Sequence, residues 1–199
     1  MSAHHRVARV LALAAGLYAL ASSAAGAQER MRSGFWLDAG VGYGRMRVTC
    51  SNCTEVNTEH GGTVTLTFGR SLSRRAVLGL EGQIWSSWES GPHEQVRSLT
   101  VVVQWYPFLR EHFFVRGGTG IVQGPVVQSV SGAQPESVKG TGVGLTLGVG
   151  YDFPLDKHVA IAVQAASHIA ALGDLDLGGV VMNDTIAYVT RFAVALVFR

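Results

Sequence analysis

The chain has 199 residues, enough for one domain, and 47% of them are hydrophobic whereas 15% are charged. It has 16 lysines and arginines and 14 acidic residues. Arg6 and Arg9 belong to the N-terminal segment described below, so the rest of the chain has 14 basic (16 − 2 = 14) and 14 acidic residues. A chain without net positive charge lacks the basic surface on which nucleic-acid binding depends. We therefore expect no nucleic-acid partner.

The N-terminus has the pattern of a cleaved secretory signal peptide. A basic start precedes the apolar run Val10 to Leu20, and Ala25-Gly26-Ala27 supplies small residues for cleavage. The apolar run is shorter than the roughly 20 residues of a membrane-spanning helix. We predict a signal peptide at residues 1–27, followed by one exported domain at residues 28–199.

Eight segments of the exported domain alternate between large apolar residues and small or polar ones. This period of two predicts β-strands. In chain order the segments are Phe35–Arg45, Thr63–Gly69, Val77–Trp88, Val96–Pro107, His112–Val122, Thr141–Asp152, Val159–His168 and Thr185–Arg199. Most of them are close to the roughly 9–11 residues that a tilted strand needs to cross a bilayer.

The last segment, TIAYVTRFAVALVFR, indicates what surrounds the strands. Large side chains such as Tyr188 and Phe192 share one face, while alanines and Arg191 share the other. Many of the 25 glycines also lie opposite large apolar residues, as in GVGLTLGVGY. This pattern is typical of a strand whose apolar face contacts lipid and whose other face lines a crowded barrel lumen. We therefore predict an all-β fold, an eight-stranded antiparallel up-and-down transmembrane β-barrel that the last strand closes.

The predicted connections alternate between short and long. Short ones lie at residues 71–75, 108–111 and 153–157, and mostly longer ones lie at residues 46–62, 89–95, 123–140 and 170–184. Outer-membrane barrels have short periplasmic turns and long extracellular loops. With a periplasmic N-terminus, every short turn falls on the periplasmic side and every longer loop outside.

Aromatic residues gather towards the ends of the predicted strands, which is typical of the girdles at the two membrane interfaces. The short-turn side has Phe35, Trp36, Trp105, Tyr106, Phe108, Phe113, Phe114, Tyr151, Phe153 and Phe198. The long-loop side has Tyr43, Trp85, Trp88 and Tyr188.

Three strand–turn–strand units, GFWLDAGVGYG, WYPFLREHFFVRGGTGIV and GTGVGLTLGVGYDFPL, resemble the small bacterial outer-membrane barrel domains of the OmpA and OmpX type. The resemblance covers essentially the whole exported domain. It implies a monomer in the bacterial outer membrane. The partners it implies are outer-membrane lipid, lipopolysaccharide and, during assembly, the barrel-insertion machinery.

The faces assigned to the lumen carry several charged and amide side chains. An eight-stranded barrel is just wide enough for side chains to fill it, so no open pore is expected. The inward residues are Asp38, Glu81, Arg116 and Arg191, with Gln83, Gln104 and Gln164 nearby. Because buried charges require partners, we predict a network in which the two carboxylates meet the two arginines. A gated plug and a static network are both consistent with it, and the static network is preferred.

The sequence Cys50-Ser51-Asn52-Cys53 lies in the first long connection. A CxxC motif can be a redox centre, half of a zinc site or a short disulfide. No second CxxC occurs in the chain, and the loop lies outside the reducing cytoplasm. We predict a disulfide between Cys50 and Cys53, and neither a metal nor a cofactor.

Ser167-His168 is the one pairing that suggests an enzyme. Adjacent residues of a strand point to opposite faces, so the two side chains are not expected to meet, and we predict no catalytic residues. The predicted function is a structural or surface-interaction role. The alternatives are a narrow channel for small or apolar solutes, a lipid-modifying enzyme, and a secreted lipocalin-like barrel with the large apolar face inside.

Overall fold

The computed structural model of the chain describes residues 34–49, 51, 58–88, 95–108, 112–127, 137–177 and 180–199. The predicted signal peptide and both cysteines lie outside these residues, so cleavage after Ala27 and the Cys50–Cys53 disulfide remain predictions. Within the described residues, no helix is long and apolar enough to cross a membrane.

Eight β-strands make up most of the described chain. They are β1 (Phe35–Thr49), β2 (Thr58–Ser71), β3 (Ala76–Ser87), β4 (Gln95–Trp105), β5 (Phe113–Val127), β6 (Ser137–Pro154), β7 (Val159–Leu177) and β8 (Val180–Phe198). Each strand pairs antiparallel with its sequence neighbours, and β8 pairs with β1 to close the barrel. The predicted eight-stranded antiparallel barrel is confirmed.

The strands are staggered around the barrel. A circuit along directly paired residues that leaves β1 at Thr49 returns to it at Ala39, a stagger of ten residues (49 − 39 = 10). Stagger and tilt are linked in a closed barrel, and strands in such barrels lie at about 35–45° to the axis. The inward side chains of all eight strands therefore converge on one narrow lumen.

The large apolar side chains face outward. Val41 is 64% exposed, Leu147 is 55% exposed and Phe192 is 63% exposed, and similar residues continue around the wall. A continuous outward apolar band on a polar-cored barrel belongs in a lipid bilayer. The lipocalin-like alternative requires the opposite orientation and is therefore wrong.

The predicted outer loop at residues 170–184 is wrong, because most of it is strand. β7 continues to Leu177, and β8 begins at Val180. The ladder between them shifts register on both sides of Gly173, which has a φ of +73°. Glycine adopts this left-handed conformation without a steric penalty, so the irregularity bends the hairpin without ending it.

Tight turns form two of the three predicted short connections. The amide of Leu72 donates to the carbonyl of Ala76 at 2.9 Å, and the Ser73 hydroxyl accepts from the Ala76 amide at 3.1 Å. In the turn between β6 and β7, Asp156 Oδ1 accepts from the amide of Val159 at 2.9 Å. These side-chain acceptors satisfy backbone groups that the ladders leave over.

Four aromatic residues predicted for the interfacial girdles lie instead in the lumen, each with at most 2% of its surface exposed. They are Trp36, Trp85, Tyr106 and Phe114. The reason is alternation, since each of the adjacent pairs Phe35–Trp36 and Trp105–Tyr106 sends one ring outward and one inward. The girdle prediction was therefore wrong for all four of these residues.

We expect the inward Gly118 and Gly120 of β5 to tolerate no side chain. A Cβ at Gly120 would meet the Leu99 carbonyl oxygen at 2.0 Å, whereas a Cβ at the outward Gly117 would meet nothing closer than 3.7 Å. Gly120→Ala should lower the free energy of unfolding by about 1–3 kcal/mol because backbone must move. The matched Gly117→Ala should be neutral. Urea unfolding in lipid vesicles measures both, and equal midpoints would contradict the steric explanation.

Candidate functional site in the barrel lumen

A polar layer fills the middle of the lumen between two apolar layers. The periplasmic layer consists of Trp36, Val77, Tyr106, Phe114, Ala160, Ala162, Ala195 and Val197. The outer layer consists of Met46, Trp85, Val96, Val122, Ala170, Leu172, Ala187 and Val189. Charged groups between two such layers are shielded from water at both ends, so each depends on protein partners.

Arg116 on β5 is the centre of the polar layer. Its guanidinium donates to Glu81 Oε2 at 2.6 Å and to Asp38 Oδ2 at 3.1 Å. It also donates to Gln104 Oε1 at 2.9 and 3.2 Å and to Gln164 Oε1 at 3.3 Å. One arginine thus joins residues from β1, β3, β4 and β7 across the lumen.

Glu81 is shared between two arginines. Besides Arg116, its carboxylate accepts from Arg191 Nη2 at 3.0 and 3.1 Å, so the second guanidinium contacts both oxygens. Arg191 Nη1 in turn donates to Gln83 Oε1. All seven residues of the predicted network are buried, and each contacts at least one other member.

The network extends further towards the periplasmic side than the seven residues predicted from the sequence. Gln104 Nε2 donates to the Tyr106 hydroxyl at 2.5 Å, and that hydroxyl donates to Asp152 Oδ2 at 2.8 Å. Arg199 forms an ion pair with Asp152. The sequence contained part of this signal, because alternation places Tyr106 on the same face of β4 as Gln104.

Ser167 and His168 point to opposite faces of β7, as alternation predicts. The Ser167 hydroxyl lies on the outer face, 3.2 Å from the Thr190 hydroxyl. The His168 ring lies in the lumen, with Nδ1 2.6 Å from the Thr146 hydroxyl. The two side chains share no partner in these contacts, so this pair does not have the geometry of a nucleophile and its base.

The polar layer connects strands that are far apart in the sequence. Asp38, Glu81, Gln104, Arg116, Asp152, Gln164 and Arg191 come from seven different strands, every strand except β2. Beside them, β2 contributes the buried Thr63, Thr65 and Thr67. Among the described residues no group of three or more histidine, cysteine or acidic side chains is arranged to hold a metal ion. The arrangement is suited to holding the wall together and filling the lumen.

Comparison with solved structures gives outer-membrane barrels. The fold resembles neisserial surface protein A, with a TM-score of 0.58, 11% identity, and coverage of 83% of this chain and 97% of that one. It also resembles Ail, the attachment invasion locus protein of Yersinia pestis, with a TM-score of 0.53, 15% identity, and coverage of 82% and 98%. The fold is that of a small outer-membrane barrel. With its outward apolar band, the barrel lies in a bacterial outer membrane.

Sequence comparison adds nothing to this. No family model matches the chain, and none of the curated proteins does.

We expect loss of Arg116 to destabilise the barrel strongly. Arg116→Met removes the only arginine that lies at ion-pair distance from Asp38 in the described part of the chain, and a broken buried ion pair costs about 3–5 kcal/mol. The outward Arg97→Met is the matched control, expected to cost less than about 1 kcal/mol. Urea unfolding in vesicles gives both values.

The pairing itself is tested by a double-mutant cycle. Asp38→Asn combined with Arg116→Met should destabilise less than the two single changes added together, by about 0.5–3 kcal/mol. Additive losses would show that the contact between these two side chains does not contribute to stability.

Proposed function

We propose that this protein is an outer-membrane barrel with a structural or surface-interaction role, whose lumen is closed by its polar network. The single observation that supports this most strongly is the pair of buried arginines, Arg116 and Arg191, joined through Glu81 across the barrel. Guanidinium groups in this position occupy the space that a solute would need.

Several features count against a channel. The polar layer is bounded by an apolar layer on each side, with Trp36 below it and Trp85 above it, both fully buried. The Arg116 guanidinium carbon lies 5.5 Å from the centre of the Trp36 ring, within the range of a cation–π contact. A solute would have to displace both aromatic side chains and separate buried ion pairs, which is costly.

The surface role is supported by two hairpins that project on the long-loop side. Pairing of β6 with β7 ends at Val143 and Ala171, but β5 and β6 remain paired as far as Val127 and Ser137. Likewise β7 and β8 remain paired as far as Leu177 and Val180. Within the described pairing, both hairpins extend beyond their neighbouring strands, and another chain can add a strand to such an edge.

An enzymatic role is not part of the proposal. The outward Ser167 and the inward His168 cannot act together, and His168 faces a closed lumen. A lipid-modifying activity would require a nucleophile and its base in contact at the rim.

Reconstitution in planar bilayers tests whether the lumen is closed. The folded protein should produce no stepwise current, because a solute path would require the ion pairs of Glu81 to break. Heat-modifiable gel mobility of the same sample verifies that the barrel is folded. Reproducible unitary currents would contradict the closed lumen and favour the narrow channel.

Shortening the β7–β8 hairpin tests the surface role. We would replace residues 173–184 with an Asn-Gly turn, which suits a two-residue β-hairpin connection. The variant should remain heat-modifiable, because the ladder below Ala171 is unchanged.

The readout is retention of expressing cells on plates coated with fibronectin, collagen or heparin. Cells with the full chain should be retained above vector controls on at least one coating, and the shortened variant should lose that retention. Sensitivity to detergent with chelator, measured on a deletion strain, reports the envelope role. Absence of both effects would refute the proposal.

A further inference from the structure

The outward face of β1 and β8 carries a polar cleft that the lumen network does not involve. Arg45, Arg47, Thr49, Tyr188 and Thr190 line it, and its volume is about 490 Å³. The two arginines are two residues apart on one strand, so both guanidinium groups extend from the same face. Register places Thr190 opposite Arg45 and Tyr188 opposite Arg47, which adds two hydroxyls to the two cations.

Among the described residues, no acidic side chain pairs with the arginines of this cleft. All ion pairs found among the described residues lie in the lumen or at its periplasmic end, and neither Arg45 nor Arg47 takes part in one. Arg45 donates to the Thr58 hydroxyl at 3.5 Å, a long hydrogen bond. Both arginines are exposed, so their donors are available to a ligand.

The cleft lies at the outer boundary of the apolar band. Thr190 is eight residues above Phe198, which ends β8 on the periplasmic side (198 − 190 = 8). A tilted strand rises roughly 2.5 Å per residue along the barrel axis, so the height is roughly 20 Å in a band about 25 Å tall. Arg45, opposite Thr190, therefore lies about 5 Å below the outer edge of this band, and Arg47, opposite Tyr188, lies at the edge beside the outer-leaflet headgroups.

An apolar groove begins one outward position below the cleft. Its volume is about 600 Å³, and it is lined on the β8 and β1 side by Phe192, Val194 and Val41 and on the β6 side by Val149 and Tyr151. Ala165, paired with Phe192, forms part of the floor, where a small side chain leaves the wall concave. The groove thus reaches Phe192, the outward residue next to Thr190 of the cleft, and extends from there towards the middle of the membrane.

We propose that the cleft and the groove together bind one phosphate-bearing lipid of the outer leaflet. The Arg45 and Arg47 guanidinium groups and the Tyr188 hydroxyl hold the phosphate, and one acyl chain lies in the groove over Ala165. Arginine matches phosphate geometry with parallel N–H donors, and this pairing is stronger than neutral hydrogen bonds. The site requires only a barrel in a membrane, so it stands whether or not the hairpins bind a partner.

Native mass spectrometry of the folded barrel in neutral detergent tests the site, with diphosphorylated hexa-acyl lipid A as the probe. The wild type should retain one lipid A, and Arg45→Ala with Arg47→Ala should weaken that binding about tenfold or more. The matched control is Arg97→Ala, because Arg97 is also outward-facing but already donates to Gln95 Oε1 at 2.6 and 3.0 Å. Its affinity should stay within about twofold of wild type.

The groove is tested separately from the arginines. Ala165→Phe fills the floor and should weaken lipid A binding while both arginines remain. Heat-modifiable mobility verifies the fold of each variant, and Arg47→Gln alone serves if the double variant does not fold. Unchanged binding in the arginine variants, equal binding of dephosphorylated lipid A, or displacement by inorganic phosphate at the same concentrations as lipid would each overturn the proposal.

Discussion

The position of Glu81 between Arg116 and Arg191 is the interaction on which the rest of the barrel depends. Two cations in an apolar surrounding would repel each other, and the shared carboxylate turns that repulsion into attraction. Asp38 supplies the second negative charge, so two carboxylates face two guanidinium groups at the centre. Each charge comes from a different strand, and the network therefore forms only when the barrel is closed.

This network determines which residues the wall can contain. Two guanidinium groups and three amide side chains need space that an eight-stranded lumen hardly provides. Inward positions of the wall carry many glycine, alanine and threonine residues, and the inward Gly42 and Gly118 each lie against a neighbouring strand so closely that a Cβ would overlap its backbone. The glycines thus permit the close approach of strands in a narrow barrel, and the narrow lumen brings the charged side chains within reach of one another.

The fold could be predicted from the sequence because the two-residue alternation indicates both where the strands lie and which side chains face the lumen or the lipid. The same signal placed Asp38, Glu81, Arg116 and Arg191 in the lumen. Their pairing could also be predicted, because a narrow lumen offers a buried charge few other partners. The signal did not find the extent of β7, because Gly173 breaks the alternation while the ladder continues. Tyr106 was missed because its aromatic character suggested a membrane girdle, although its parity with Gln104 already placed it inside.

The arrangement of charge on the two faces of the wall follows one rule of depth. On β1, Asp38 is inside and deep, where Arg116 pairs with it, whereas Arg45 and Arg47 are outside and only at the upper end. A lipid-facing arginine costs about 2–4 kcal/mol at the middle of the bilayer and about 0–1 kcal/mol near its surface, so unpaired outward cations belong at the rim. A charged side chain at the middle of the membrane is stable only in the lumen, where it forms an ion pair with another side chain. The charged side chains that remain available to a ligand are therefore those at the rims. In a closed barrel, ligand binding is accordingly expected at the projecting hairpins and at the outer lipid boundary.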